Sequence, residues 1–146
     1  MAKIEKSVVI DRPVEDVWQF ITYVPNFTKW DKGVIEARQT STGPFGVGAT
    51  FEAKTQEFGL LKMRVVQYEP NQRYAYQFMS APHQRGSTTT FAMEAIEVKS
   101  RLTLTFDLRI VGIYKLLGPF IVRRMRRSER DSLDNLKRIL ESEAKP

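Results

Sequence analysis

The sequence predicts an α+β fold, a curved antiparallel sheet of about seven strands closed around one long C-terminal helix, with two short helices after the first strand. Three observations predict it. From Gly118 to Glu143 the only helix-breaking residue past the glycine is Pro119, which sits where a first turn tolerates proline. Leu117, Ile121, Met125, Ser128, Ser132, Leu136, Ile139 and Leu140 recur there at steps of three and four, which is one face of a helix. Between Val34 and Val111 the chain instead reads as consecutive strands on short links, and short links make antiparallel neighbours. A helix of about 25 residues is about 38 Å long and cannot bury its stripe alone. The strands before it supply the partner, and the simplest packing curls the sheet around the helix. The small polar Ser128 and Ser132 between bulkier ends hint at a cavity beneath it.

Each element has its own signal. Lys3 to Ile10 alternates as a strand with mixed burial, and Asp11 and Pro13 mark a helix start. Val14, Val17, Trp18 and Ile21 then give a short amphipathic helix over Pro13 to Thr22. Pro25 ends it, and Asn26 to Trp30 forms a second short helical turn. Strands follow over Val34 to Thr42, Ala49 to Phe58, Leu60 to Tyr68, Arg73 to Met79, Ser87 to Glu97 and Ser100 to Val111. They are separated by the glycine-rich Gly43 to Gly48, a turn at Gly59, the turn Glu69 to Gln72, a polar loop Ser80 to Gly86 and a tight turn near Val98-Lys99. In the last strand Leu102, Leu104, Phe106, Leu108 and Ile110 face one way, and Arg101, Thr103, Thr105, Asp107 and Arg109 the other. That alternation is a half-buried antiparallel strand.

Composition narrows the function classes. At 146 residues the chain reads as one domain over 1–146, and 42% apolar residues suit a folded core. With no cysteine there is neither a disulfide nor a thiolate metal site, which fits a reducing compartment. The N-terminus lacks the apolar core of a secretory signal, and no apolar run approaches the length of a membrane span; a cytoplasmic location is expected. The net charge of +6 is local: residues 115–130 hold six basic side chains against Glu129. The face carrying Lys115, Arg123, Arg126, Arg127 and Arg130 leaves two readings, peripheral contact with an anionic membrane or a solvated helix face paired with Glu129, Asp131 and Asp134. No stacking aromatics interleave with it, so nucleic acid is not an expected partner.

The segment Val8 to Val34 resembles the opening of START-like, helix-grip proteins of the polyketide cyclase/dehydrase and lipid-transport superfamily. Pro13, Glu15, Val17, Trp18, Phe20, Pro25, Phe27, Trp30 and Gly33 carry the pattern. Gly48 to Phe51, Tyr68 to Tyr74 and the helix end Leu136 to Glu141 are similar to its later landmarks, so the resemblance spans essentially the whole chain. It implies a deep apolar cavity between the sheet and the long helix. It also implies one of several uses: lipid carrier, hormone receptor or aromatic cyclase.

In that frame Phe51, Tyr74, Tyr76, Phe78, Phe91, Met93, Phe106 and Met125 are the expected lining of a cavity for a hydrophobic small molecule such as a lipid, quinone, sterol or polyketide. Plain core packing is the alternative for each. Tyr74, Tyr76, Arg64 and Glu57 are the polar groups that a cyclase would use to orient or protonate a polyketide. Trp18 and Trp30 are expected to pack the short helices on the sheet, with Trp30 also suited to rim an entrance. His83 is read as an exposed loop residue. No residue set with metal-ligand spacing or phosphate-loop pattern is present, and no cofactor is expected. Hydrophobic ligand binding is the leading expectation; an enzyme using the same cavity and a protein-interaction module are the alternatives.

Overall fold

A computed structural model describes residues 2–31, 33–56, 59–79, 86–108 and 118–142, with side chains at 4–31, 33–56, 59–79, 86–107, 123 and 131–142. Strand β1 (Ala2–Ile10) leads to helix α1 (Val14–Thr22), a 3₁₀ turn (Val24–Asn26) and helix α2 (Phe27–Trp30). Strands β2 (Val34–Gln39), β3 (Thr50–Thr55), β4 (Gly59–Glu69), β5 (Arg73–Phe78), β6 (Thr88–Ile96) and β7 (Lys99–Leu108) follow, then helix α3 (Gly118–Ser142).

The strands make one antiparallel seven-stranded sheet in the order β1-β7-β6-β5-β4-β3-β2. Strands β2 to β7 form a meander, and β1 returns to lie beside β7. Turn chemistry sets the registers. Between β4 and β5, Pro70 takes the second turn position, Asn71 the left-handed third at φ 62°, and the Gln72 amide donates to the Glu69 carbonyl at 2.9 Å. This is the pattern of a type II turn. β6 and β7 join through two residues, with Ile96 opposite Lys99 and Glu97 left-handed. In β7, Leu102, Leu104 and Phe106 are buried while Arg101, Thr103, Thr105 and Asp107 are not, as alternation predicts; Arg109 and Ile110 lie outside the described residues.

Helix α1 buries Val17, Trp18 and Ile21, and Glu15 and Asp16 in its first turn complement the helix dipole. Side chains meet carbonyls of its last turn, where the final ones lack a helical partner. Thr22 Oγ1 donates to the Trp18 carbonyl at 2.7 Å, Asn26 Nδ2 to Phe20 at 3.1 Å, and the Tyr74 hydroxyl to Ile21 at 2.8 Å. The third bond ties α1 to the middle of the sheet.

The second half of α3 buries Ser132, Leu133, Leu136 and Leu140, with Ile139 packed beside them. Leu133 was not on the expected stripe. The buried arc is wider than a strict three-four row, because α3 meets both β1 and α2. Polar bonds reinforce this end. Asn135 Nδ2 donates to the carbonyls of Trp30 (3.1 Å) and Lys29 (3.3 Å), and Lys137 Nζ to that of Val9 (2.6 Å). Glu141 accepts from the Asp11 amide (2.9 Å) and from Lys137 (2.6 Å).

The 25 residues of α3 match the predicted length. Of the expected stripe, Leu117 lies outside the described residues, and Ile121, Met125 and Ser128 lie outside the described side chains.

Candidate functional site

Register decides which side chains share a face. Phe51 pairs with Met63, Met63 with Phe78, Tyr74 with Phe91, and Phe91 with Leu104. The period of two then puts Phe51, Met63, Val65, Tyr74, Tyr76, Phe78, Phe91, Met93, Leu104 and Phe106 on one side of the sheet. That side faces the helices. Trp18 of α1 meets Tyr68 and Tyr74 with centroids 5.5 and 5.7 Å apart, and Trp30 of α2 stands edge-on over Phe91 at 5.9 Å.

The predicted lining residues on this face form a connected aromatic sheet. Tyr74 stacks on Phe91 at 5.1 Å, Phe51 meets Tyr76 at 5.0 Å, and Tyr76 meets Phe78, which in turn meets Phe106 at 5.7 Å. Offset and edge-on pairs of this kind add to area burial because the ring edge is positive and the face negative. Phe51, Tyr74, Phe78, Phe91 and Phe106 are buried, whereas Tyr76 and Met93 are only half-buried. Met125 lies outside the described side chains.

Three ring partners were not legible beforehand. Phe27 stacks on Phe51 at 5.8 Å, and Phe45, from the glycine-rich loop, meets Phe51, Tyr68 and Tyr74. Phe27 lies one helical turn before Trp30, whereas Tyr68 is out of phase with Met63 and Val65 and reaches this face through the irregularity between Val65 and Gln67. Phe45 has no periodic signal, since a loop's path over the sheet is set by tertiary packing.

Among the described residues, the polar groups at this face include Tyr74, Tyr76 and the buried Thr89, which pairs with Tyr76 and Phe106. The Tyr74 hydroxyl is committed to Ile21, and burial, with smaller contributions from neighbouring Tyr76 and Tyr68, raises its pKa well above the usual phenol value. It stays protonated and holds α1. Asp31, at the end of α2, is half-buried by surface area. Desolvation raises its carboxyl pKa, partly offset by the Gly33 amide that donates to it at 3.1 Å. Of the two tryptophans, both pack helices on the sheet, and Trp30 is 3% exposed, within the aromatic layer and not at a rim. Its Nε1–H is buried and has no hydrogen-bond partner among the described residues.

The other polar candidates are not brought to this face. Arg64 is exposed, because it alternates with the buried Met63 and Val65 and so projects from the opposite side. Glu57 and His83 lie outside the described residues. Of the basic helix face, Arg123 is exposed; Lys115 and the side chains of Arg126, Arg127 and Arg130 are outside what is described. Among the described residues, no group of three His, Asp or Glu is placed to hold a metal, and no helix is long and apolar enough to cross a membrane.

The family model described as polyketide cyclase/dehydrase and lipid transport matches residues 1–141. No curated protein matches the sequence. Among solved structures, the Zhui aromatase/cyclase from Streptomyces sp. R1128 superposes with a TM-score of 0.85 at 14% identity, covering 99% of this chain and 96% of that one. The di-domain aromatase/cyclase BexL from the BE-7585A biosynthetic pathway gives 0.82 at 18% identity, and this chain covers 48% of it. The Aha1 dimer from Colwellia psychrerythraea gives 0.72 at 19% identity, with 97% of each chain covered. At these identities the structures share the helix-grip fold alone. The family match over nearly the whole length shows more: this chain belongs to the polyketide cyclase/dehydrase and lipid transport family.

Proposed function

We propose that this member of the polyketide cyclase/dehydrase and lipid transport family binds a hydrophobic small molecule, of lipid, quinone, sterol or polyketide type, on the aromatic face beneath α3, as a single ligand-binding domain. The observation that carries the reading is Tyr76. It lies in the middle of β5 with Phe27, Phe51, Tyr74, Phe78 and Phe91 around it, yet it stays half-buried. A residue at the centre of a solid core has no solvent access. One that keeps it marks an opening in the layer. Met93, two positions beyond Phe91 on the same face, is half-buried as well, and a flexible thioether beside aromatic rings suits ligands of varied shape.

Apolar burial supplies the affinity, at roughly 25 cal/mol for each Å² removed from water. Few polar groups are needed, and they set orientation. Binding is the part of the family's range that this face supports. Catalysis would call for a free acid or base against the ligand, and the most buried candidate, Tyr74, is engaged with Ile21.

Native mass spectrometry tests the reading. Protein from a lipid-rich expression host, weighed before and after organic extraction, is expected to carry a removable adduct of several hundred daltons, about what a pocket of roughly 300–1,000 Å³ holds. A clean mass in both, with no thermal shift across fatty acids, sterols, quinones and aromatic polyketides, would overturn it.

A further inference from the structure

We infer that the indole Nε1–H of Trp30 is the orienting donor of this site, and that the bound molecule places a neutral oxygen acceptor, a ketone, quinone or ether, against it. The inference rests on the binding role proposed above.

The argument starts from the indole's inventory: one donor and no acceptor. When tryptophan is buried, that donor normally finds a partner, because leaving it dry forfeits its bond to water. Trp30 is 3% exposed, and its Nε1 is fully buried without a partner among the described residues. Trp18, the other indole, is also buried, but its nitrogen is not among the orphaned atoms. Of the two nitrogens, only that of Trp30 is both fully buried and without a partner among the described residues.

The ring is also held where a ligand would meet it. It stands edge-on over Phe91 of β6, packs against Phe27 at 5.4 Å, and its backbone carbonyl is clamped by Asn135 of α3. The donor thus lies in the layer between sheet and terminal helix, in the same aromatic network as half-open Tyr76. No water-sized space touches Nε1, so a ligand oxygen reaches it only as the neighbouring side chains give way. Among the described residues the indole's ring contacts, Phe27 and Phe91, are hydrocarbon, which also selects the acceptor's charge. A carboxylate would lose its hydration to a single neutral donor, whereas a carbonyl or ether oxygen sheds far less. A fatty-acid headgroup is the wrong chemistry for this position, and a ring ketone the right one.

The test uses a matched pair of probes, α-tetralone and tetralin, which differ by the ketone. The chain has two tryptophans, so a ¹⁵N-labelled sample gives two indole cross-peaks, and Trp30→Phe assigns them. Titrating α-tetralone into the wild-type protein should move the Trp30 indole proton downfield, with tetralin leaving it nearly in place. The ketone should bind about 3- to 10-fold more tightly than the hydrocarbon, the range of one neutral hydrogen bond. In Trp30→Phe the two affinities should converge while tetralin still binds. If both probes bind the wild type equally and the Trp30 proton does not shift, the donor assignment fails and the cavity stands. If neither probe binds the folded protein, as judged by an unchanged spectrum, the donor assignment fails together with the binding role. The wild-type indole shift needs no variant, so a Trp30→Phe protein that misfolds does not spare the inference.

Discussion

Tyr74 and Tyr76 stand two residues apart on the same strand and point to the same side of the sheet, yet their surroundings differ. Around Tyr74 the structure is closed: the ring stacks on Phe91, Trp18 meets it edge-on, and its hydroxyl is spent on Ile21 of α1. Around Tyr76 the same kinds of ring gather, but solvent still reaches the side chain. One region is closed packing and the other keeps solvent access. The contrast teaches that an aromatic-rich face is not by itself a binding site. The useful sign is the place where a well-surrounded ring is left incompletely covered.

Truncation should separate the two regions most strongly. Tyr74→Ala is expected to cost ~3–5 kcal/mol by urea denaturation, the range for deleting a fully buried ring. Tyr76→Ala should cost under about 2 kcal/mol, since part of its surface is already in water. Equal losses would dissolve the distinction. Next in size is Tyr74→Phe, which keeps the ring and strands the Ile21 carbonyl; about 1–3 kcal/mol is expected, with hydrogen exchange accelerated at the end of α1.

Two smaller effects concern the closed framework around the face. The raised Asp31 pKa means that folding disfavours its charged form, so its penalty is present at neutral pH and vanishes as pH falls below the ordinary carboxylate value of 3.8. Asp31→Asn keeps an oxygen for the Gly33 amide. It should raise the melting temperature at pH 7 and lose that advantage near pH 3. Glu141 has the opposite sign. The Lys137 ammonium and the Asp11 amide lower its pKa, so its contribution is present above its ordinary value of 4.5 and is lost as pH falls through the lowered one. Because the pair is substantially exposed, Glu141→Gln should cost no more than about 0.5 kcal/mol at pH 7.

The architecture was largely legible before the structure, for reasons that can be named. Leu102, Leu104 and Phe106 against Arg101, Thr103 and Thr105 encode which side of β7 is dry, and Pro70-Asn71 encodes a turn. Local rules act within a few residues, so they survive into the fold. The register that gathers Phe51, Tyr74, Tyr76, Phe78, Phe91 and Phe106 follows from the same period of two. What could not be read was whatever depends on a second element's path. Leu133 is buried because α3 leans on two neighbours, and Phe45 is partly buried because its loop folds back over Tyr68 and Tyr74. The unpartnered indole of Trp30 is the extreme case. It depends on every neighbouring atom, and no spacing announces it.

The central claim is that the half-open centre around Tyr76 takes an apolar ligand. The most direct measurement is a fluorescence titration of the neutral dye N-phenyl-1-naphthylamine into the wild-type protein and Tyr76→Trp, whose larger ring fills the opening. The account predicts saturable binding to the wild type and at least about tenfold weaker binding to the variant, equivalent to roughly 1.4 kcal/mol, with folding preserved. Equal affinity for both proteins, or none for the wild type, would contradict it.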